Sequence, residues 1–524
     1  MRTAVLAAVV GVAAAYSQPN IVFFLADDIG WSDFGYFGYD LYGATPTIDT
    51  LASQGVKLAC VYGQTACTPG RAAFLTGRYP MRSGLQKGAI SAEQKKGIFT
   101  NFTLVSNELK KAGYNTAMVG KWHVGCAAWE QTPTWRGFDA FGGFLCNGQM
   151  DFMYKTNDGY LDLHEDGAYD TNSDHLSSDV RVSEVYDAKA IDFISQQTPS
   201  TPFFIYYALQ DPHTPLSAPD YMLEEEPCSL LTADGSRQTY CGMMRCIDTA
   251  VSAVMEAVSD GGFLDNTLLF FSGDNGGAPK NGGYNWPLRG SKGTLHEGGV
   301  RQASFAWGAM ISESVRGTTY QGQIHLVDFF PTMMAVATSG KWPGLSGETL
   351  DGMNVWDAIA NGEDSPRYET LLNVVDDAGG IRVGNYKLLI GQKADEWYQH
   401  PDTSSSSNAE SEYVAANFKP VSISKVSQNV SGAKDDNDNN QVPQLYDVVN
   451  DPYEYTNLYY YDSYASVVSD LQSRLDVYVA EQADYNYQSD KYDAAKSAAA
   501  SNGYWGPWAG EYLSSSEHQQ TQQV

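Results

Sequence analysis

The chain has 524 residues, a length that suits one large α/β domain plus a smaller partner. Apolar residues make up 43% and aromatics 13%, so a sizeable core can be buried and general disorder is excluded. With 33 Lys+Arg against 62 Asp+Glu the formal net charge is −29, which argues against a duplex-DNA or anionic-membrane surface, since both call for a basic face. An anionic substrate would need the positive charge gathered in one pocket.

Arg2 precedes an apolar run from Ala4 to Ala15 that ends in small residues. This reads as a secretory signal peptide over residues 1–17, too short to span a bilayer. No later stretch reads as a membrane span, and the polar C-terminal end carries no lipid-anchor signal. The predicted location is therefore the secretory pathway, with an extracellular or lysosome-like destination. Asn101-Phe102-Thr103 and Asn429-Val430-Ser431 are glycosylation acceptors on that route. Seven cysteines (Cys60, Cys67, Cys126, Cys146, Cys228, Cys241, Cys246) leave one unpaired in an oxidising compartment. The other six allow up to three bridges. Local pairs are preferred: Cys126 with Cys146, and Cys228 with either Cys241 or Cys246.

Ile21-Val22-Phe23-Phe24-Leu25 is continuously apolar and stops at Asp27-Asp28, the mark of a strand buried on both faces. The pattern recurs where residues 116–119 run into Gly120-Lys121-Trp122-His123, and where 203–209 run into Asp211-Pro212-His213. It recurs again where 268–271 run into Asp274-Asn275-Gly276-Gly277. Between these runs, Val182, Val185, Ala188 and Ile191, and later Ile247, Val251, Val254 and Val258, recur at helical spacing. Alternating strands and helices predict a doubly wound, mostly parallel sheet, whose ligands sit at the carboxyl ends of strands. The polar turns just named fall there.

Near residue 370 the texture changes. Residues 381–383 and 386–390 read as a hairpin across Gly384-Asn385. The stretch 402–442 is rich in Ser, Asn and Asp and reads as a mobile surface insertion. A helix is predicted over 467–479. The expected division is a catalytic domain over 18–370, a C-terminal α+β subdomain over 371–484, and a peripheral polar tail over 485–524.

The sharpest local signal is Cys67-Thr68-Pro69-Gly70-Arg71, continuing through Leu75-Thr76-Gly77-Arg78. Pro69 suits a first helical turn, so Cys67 would sit at a helix N-terminus where free amides favour anions. Arg71 lies one turn on and adds a fixed cation. Asp27, Asp28, Asp274 and Asn275 offer only oxygen ligands, which suits Ca²⁺ or Mg²⁺ and disfavours zinc. Arg71, Lys121 and Lys292 would balance that acidic shell.

These motifs resemble type I sulfatases. The Cys67–Arg78 segment is similar to their formylglycine signature, with Ala66 and Gly70 standing where Leu and Ser are frequent. Residues 19–31 resemble the opening strand and its metal carboxylates. Gly120-Lys121-Trp122-His123, His213-Thr214-Pro215 and Asp274-Asn275-Gly276-Gly277 resemble the family's later site segments, in its order. Residues 285–292, ending in Lys292, look like the arylsulfatase B branch. Leu445-Tyr446-Asp447 with Asp451-Pro452 and Asn457-Leu458 resembles the C-terminal marker. The resemblance implies an alkaline-phosphatase-like α/β fold with a smaller C-terminal antiparallel sheet.

It also implies one bound Ca²⁺ (Mg²⁺ second) held by Asp27, Asp28, Cys67, Asp274 and Asn275, and a maturation step in which a formylglycine-generating enzyme oxidises Cys67 to an aldehyde. That step would account for the odd thiol. The catalytic set would be Cys67, Arg71, Lys121, His123, His213 and Lys292. One hydroxyl of the hydrated aldehyde attacks sulfur while Lys121 and Arg71 hold the sulfate oxygens. His213 and Lys292 assist the leaving alcohol, and His123 takes the proton that lets the sulfate ester collapse by elimination. The implied substrate is a sulfated sugar or polysaccharide, with N-acetylgalactosamine 4-sulfate units suggested by the branch. A phosphonate or phosphodiester hydrolase with the same nucleophile, or a non-catalytic binder of sulfated glycan with an unmodified Cys67, are the alternatives. His296 and His325 read as structural. His164 and His400 read as loop residues, and Trp31, Trp122 and Trp286 as core or pocket mouth.

Overall fold

The computed structural model describes residues 18–38, 40–231, 234–393, 442–485 and 493–509. The predicted signal peptide, residues 402–441 of the predicted insertion with Asn429, His400 and the end of the tail lie outside them. In chain order the first strands are β1 (Asn20–Ala26), β2 (Val56–Tyr62), β3 (Asn115–Lys121) and β4 (Ala140–Phe144). A short pair follows, β5 (Thr156–Asn157) with β6 (Tyr160–Leu161), and then the hairpin β7 (His164–Glu165) and β8 (Ala168–Tyr169). Next come β9 (Phe203–Ala208), β10 (Thr267–Gly273), β11 (Arg301–Gly308), β12 (Thr319–Tyr320) and β13 (Ile324–His325).

The main sheet runs in the order β12-β2-β11-β10-β1-β9-β3-β4-β7-β8, with β13 beside β2. Its centre, β10-β1-β9-β3-β4, is parallel throughout, and antiparallel pairings flank it on both sides. Both faces are covered. Ile21, Phe23 and Leu25 point into one apolar cluster, while Val22, Phe24 and Ala26 point into another. That two-sided burial is why β1 is apolar at every position rather than alternating. Helices Val182–Ser195 and Gly235–Asp260 cover one face, and Phe329–Ala337 covers the other.

Four further strands make a separate antiparallel sheet: β14 (Glu369–Val375), β15 (Ala378–Val383), β16 (Tyr386–Ile390) and β17 (Gln444–Asp447). The β15–β16 hairpin turns at Gly384-Asn385, as the sequence predicts. Helix Ala465–Ala480 packs on this sheet through Leu471 and Leu475. A buried ion cluster joins the two sheets: Lys387 Nζ lies 2.9 Å from Glu297 Oε1 and 2.9 Å from Glu454 Oε1, with all three side chains fully enclosed.

Three expectations are corrected. The segment after 485 is not all peripheral, because helix Asp493–Asn502 is followed by Trp505, which is 2% exposed. Trp505 donates from Nε1 to Asn157 O at 2.8 Å, and burial of its large ring ties the chain back onto β5 and β6. His164 lies in β7 and is buried, not in an open loop. Of the six cysteines other than Cys67, four form the local pairs preferred from the sequence, Cys126–Cys146 and Cys228–Cys241, but a third bridge does not form. Cys60 and Cys246 are buried free thiols. Trp122 is core, and His325 caps the turn after β13 by accepting from Val327 N. No helix among the described residues is long and apolar enough to cross a membrane.

Candidate active site

Strand register brings the site together. Ala26 of β1 pairs with Gly273 of β10, Leu25 with Ala208 of β9, and Ala208 with Gly120 of β3. The four strands therefore end at one level, and the residues that follow each converge: Asp27-Asp28, Asp274-Asn275, His213 and His123. Asp28 and His123 both turn with positive φ, 59° and 56°. Such left-handed conformations cost energy in non-glycine residues and cluster where function requires a side chain to be re-aimed.

Helix Cys67–Thr76 begins at the same level, with Cys67 as its first residue. Its first turn fits against β10 because position 70 is glycine, where a Cβ would stand 2.5 Å from Asp274 O. Cys67 Sγ lies 3.1 Å from Asp27 Oδ1, 3.8 Å from Asp28 Oδ1 and 3.4 Å from Lys292 Nζ. Burial, reinforced by the Asp27 charge, pushes the Cys67 thiol far above its ordinary range. An unmodified thiol here stays protonated and is a poor nucleophile.

Around it the charges alternate. Lys121 Nζ pairs with Asp27 Oδ2 and donates to Gly148 O at 2.6 Å. Arg71 Nε lies 3.1 Å from Asp274 Oδ2, and its Nη2 lies 3.8 Å from Asp27 Oδ2. Burial would raise the Asp27 carboxyl, but Lys121, His213, Arg71 and Lys292 hold it well below the usual range. Asp274 goes the other way, pushed up to about 7 by burial and then by Asp27. Lys292 Nζ sits 2.6 Å from Asp28 Oδ1 and 3.2 Å from His213 Nε2. Lys292 and His213 keep side-chain exposures of 25% and 11%, so they stand at the mouth, whereas Asp27, Arg71 and Lys121 are fully enclosed. Lys292 is delivered there by its loop: Asn285 Oδ1 accepts from Gly277 N at 2.9 Å, and Lys292 N donates to Gly277 O at 3.1 Å.

His123 is fully buried, and desolvation, then the Lys121 charge, lowers its pKa well below that of free histidine. Its Nε2 bonds to Ile90 O at 2.8 Å, which makes Nε2 the protonated nitrogen and leaves Nδ1 as a lone pair without a hydrogen-bond partner. Burial also lowers His213, against the pull of Asp28 and Asp27.

The donors fit a hard divalent cation. Asp27 and Asp28 bring carboxylate oxygens within 4.8 Å of Cys67 Sγ and a His213 ring nitrogen, Asp274 Oδ1 lies 3.4 Å from Asp28 N, and the buried Asn275 Oδ1 has no hydrogen-bond partner. An oxygen-only set with an orphaned amide oxygen matches Ca²⁺ or Mg²⁺. The His213 nitrogen beside Asp27, Asp28 and Cys67 is a further potential ligand, which the sequence did not assign to the metal.

All ten residues singled out for catalysis or metal binding therefore meet in one place. Three neighbours do not join them: Asp211 pairs with Arg181, Arg78 pairs with Glu348 at 2.8 Å, and His296 bonds Gln444 at 3.0 Å. Thr68 is a residue the sequence reading passed over. Its Oγ1 donates to His123 O at 2.9 Å and accepts from Ile90 N at 3.2 Å, so it ties the helix start to the segment that fixes the His123 ring. Its only sequence signal is its place inside the Cys67–Arg71 motif.

Comparisons agree with this geometry. A family model described as Sulfatase matches residues 19–339. Arylsulfatase J of Mus musculus is 32% identical over 520 residues, covering 94% of this chain and 81% of the relative. N-acetylgalactosamine-6-sulfatase of Homo sapiens is 29% identical over 511 residues, covering 91% and 89%. Among solved structures, Ps i-CgsB in complex with k-i-k-neocarrahexaose superposes with a TM-score of 0.70 at 25% identity, covering 90% of this chain and 94% of that one.

Proposed function

Since the chain belongs to the sulfatase family, we propose that it hydrolyses sulfate esters on a sulfated sugar or glycosaminoglycan-like polysaccharide, with position 67 oxidised to formylglycine. The carrying observation is the setting of Cys67: a helix N-terminus enclosed by carboxylates on one side and by Lys121, Arg71 and Lys292 on the other. The aldehyde hydrate at 67 would supply the nucleophilic hydroxyl, and a divalent cation on Asp27, Asp28, Asp274 and Asn275 would supply fixed positive charge for the sulfate oxygens.

This chain's own groups do the rest. Arg71 and Lys121, immobilised by burial, present cations that need no reorganisation as charge builds on the equatorial oxygens. Lys292 and His213, 3.2 Å apart at the mouth, share a proton that either can deliver to the departing sugar oxygen. His123, kept neutral with Nδ1 free, suits the complementary task of accepting a proton as sulfate departs. The aryl-sulfatase and 6-sulfatase relatives support sulfated sugars as the class. For position we propose the 4-sulfate of N-acetylgalactosamine, on the likeness of residues 285–292 to the arylsulfatase B branch.

Mass spectrometry of the peptide carrying position 67 tests the reading, since aldehyde and thiol differ in mass. Formylglycine together with turnover of aryl sulfate in preference to aryl phosphate is the expected result. Active protein with an intact thiol at 67 refutes it, and a preference for phosphate esters moves the chain to the phosphohydrolase alternative. A panel of 4- and 6-sulfated N-acetylgalactosamine reads the position.

A further inference from the structure

His213 is aimed by its own loop, the stretch 211–217 that follows β9. Its Nδ1 lies 2.7 Å from Thr214 O, which makes Nδ1 the protonated nitrogen. The Nε2 lone pair then faces the pocket mouth, 3.2 Å from Lys292 Nζ and 3.5 Å from Asp28 Oδ2. Because a carbonyl of the same loop orients the ring, the ring goes wherever the loop goes.

Arg181 fastens that loop at both ends. It is the N-cap residue of helix Val182–Ser195, so it stands on the layer that covers one face of the sheet. Its Nη2 pairs with Asp211 Oδ1, and its Nη1 donates to Ser217 O at 2.6 Å. Its Nε donates to Ser183 Oγ at 3.1 Å, and its Cζ lies 4.0 Å from the centre of the Phe152 ring. The Arg181 and Asp211 side chains are each 3% exposed. Asp211 also reaches the metal carboxylates, since its carbonyl accepts from Asp27 N at 3.4 Å. A planar guanidinium holds two partners at a set spacing, and enclosure keeps water from competing for them.

We propose that Arg181 is a positioning residue for proton transfer to the leaving group. By tying residues 211 and 217 to helix Val182–Ser195, it sets where His213 Nε2 stands relative to Lys292 and the departing oxygen. This rests on the proton-donating role proposed above for His213 and Lys292. A sugar alkoxide is a basic leaving group and needs that proton, whereas an acidic nitrophenol departs without it. Loss of the clamp therefore acts on the first class of ester and largely spares the second.

The test is steady-state kinetics of the full-length protein on sulfate esters whose leaving groups run from a nitrophenol to a sugar hydroxyl. Arg181→Met should lose at least about tenfold in kcat on the sugar ester and less than about threefold on the nitrophenyl ester, with KM little changed. The His213 amide, which donates to Gln210 O at 3.1 Å, should exchange with deuterium at least about tenfold faster. Arg181→Met with Asp211→Asn leaves no buried carboxylate unpaired and should show the same pattern, which covers a failure of the single variant to fold. In a His213→Ala background, Arg181→Met should add nothing further. An even loss along the series, a loss that persists in His213→Ala, or unchanged amide exchange overturns the role of Arg181. A wild type that turns over no sulfate ester overturns the reading of the site itself, and this role with it.

Discussion

Lys387→Met probes the ion cluster that joins the two sheets. Lys387 holds two carboxylates, each at 2.9 Å, and none of the three side chains is exposed. At an effective dielectric of 20 each attraction amounts to at most about 6 kcal/mol, much of it offset by desolvation, and breaking such buried pairs costs about 3–5 kcal/mol in practice. Unfolding a chain of this size carries an entropy of about 1 kcal/mol/K, so the melting temperature should fall by about 3–5 °C. The pH dependence has a definite sign. Burial alone would raise Glu297, but Lys387 and Arg301 hold it down to about 2, so its contribution is present above the ordinary glutamate range and fades as pH falls from there toward 2. Burial raises Glu454, and its contribution is lost as pH rises above the ordinary value. With methionine at 387 both carboxyls favour protonation in the folded state, so the deficit should be largest at pH 7 and shrink toward pH 5. Calorimetry at both pH values reads this, and Lys387→Met combined with Glu297→Gln and Glu454→Gln should recover most of the loss. A shift under about 1 °C at pH 7, or a deficit that deepens on acidification, refutes the reasoning.

Lys292→Ala removes a cation from the pocket mouth and should lower kcat on aryl sulfate by about 10²–10³ while KM changes less, measured by steady-state kinetics. Cys67→Ser should fold normally and show no multiple turnover in a burst assay, whereas sustained turnover would contradict the aldehyde scheme. Chelation of divalent ions should abolish activity and lower thermal stability, by about 2.7 kcal/mol if the ion had been present at 100 times its Kd, and Ca²⁺ should restore both. Asp49 is raised to about 6 by burial and then by Asp248, so its contribution to stability is lost as pH rises from its ordinary value of 3.8 toward 6. Asp49→Asn should flatten melting temperature between pH 4 and 7 by the equivalent of at most about 2 kcal/mol, discounted for partial exposure.

The strand ends were the most legible part of the sequence. An apolar run buried on both faces has no alternation, so β1, β9 and β10 stood out, and each stopped at polar residues that now face one another. Register itself was not legible, because it depends on which strands neighbour β1. Thr68 was hidden for a related reason: its value lies in two hydrogen bonds to residues 22 and 55 positions away. The β7–β8 hairpin was missed because two-residue strands carry no period, and the docking of Trp505 because its partners at 157 and 161 are over 300 residues upstream. The ion cluster at Lys387 was equally invisible, since nothing local distinguishes a buried lysine from a solvated one.

The enclosure of position 67 dictates an order of events during biosynthesis. The side chain is 1% exposed and roofed by Lys292, 225 residues downstream. If position 67 is oxidised as proposed, an enzyme could not grip it once that loop has closed, so conversion would have to precede folding. On that reading, protein made without the conversion would emerge correctly shaped but silent, and later incubation with an oxidising enzyme would not awaken it unless the chain were first opened.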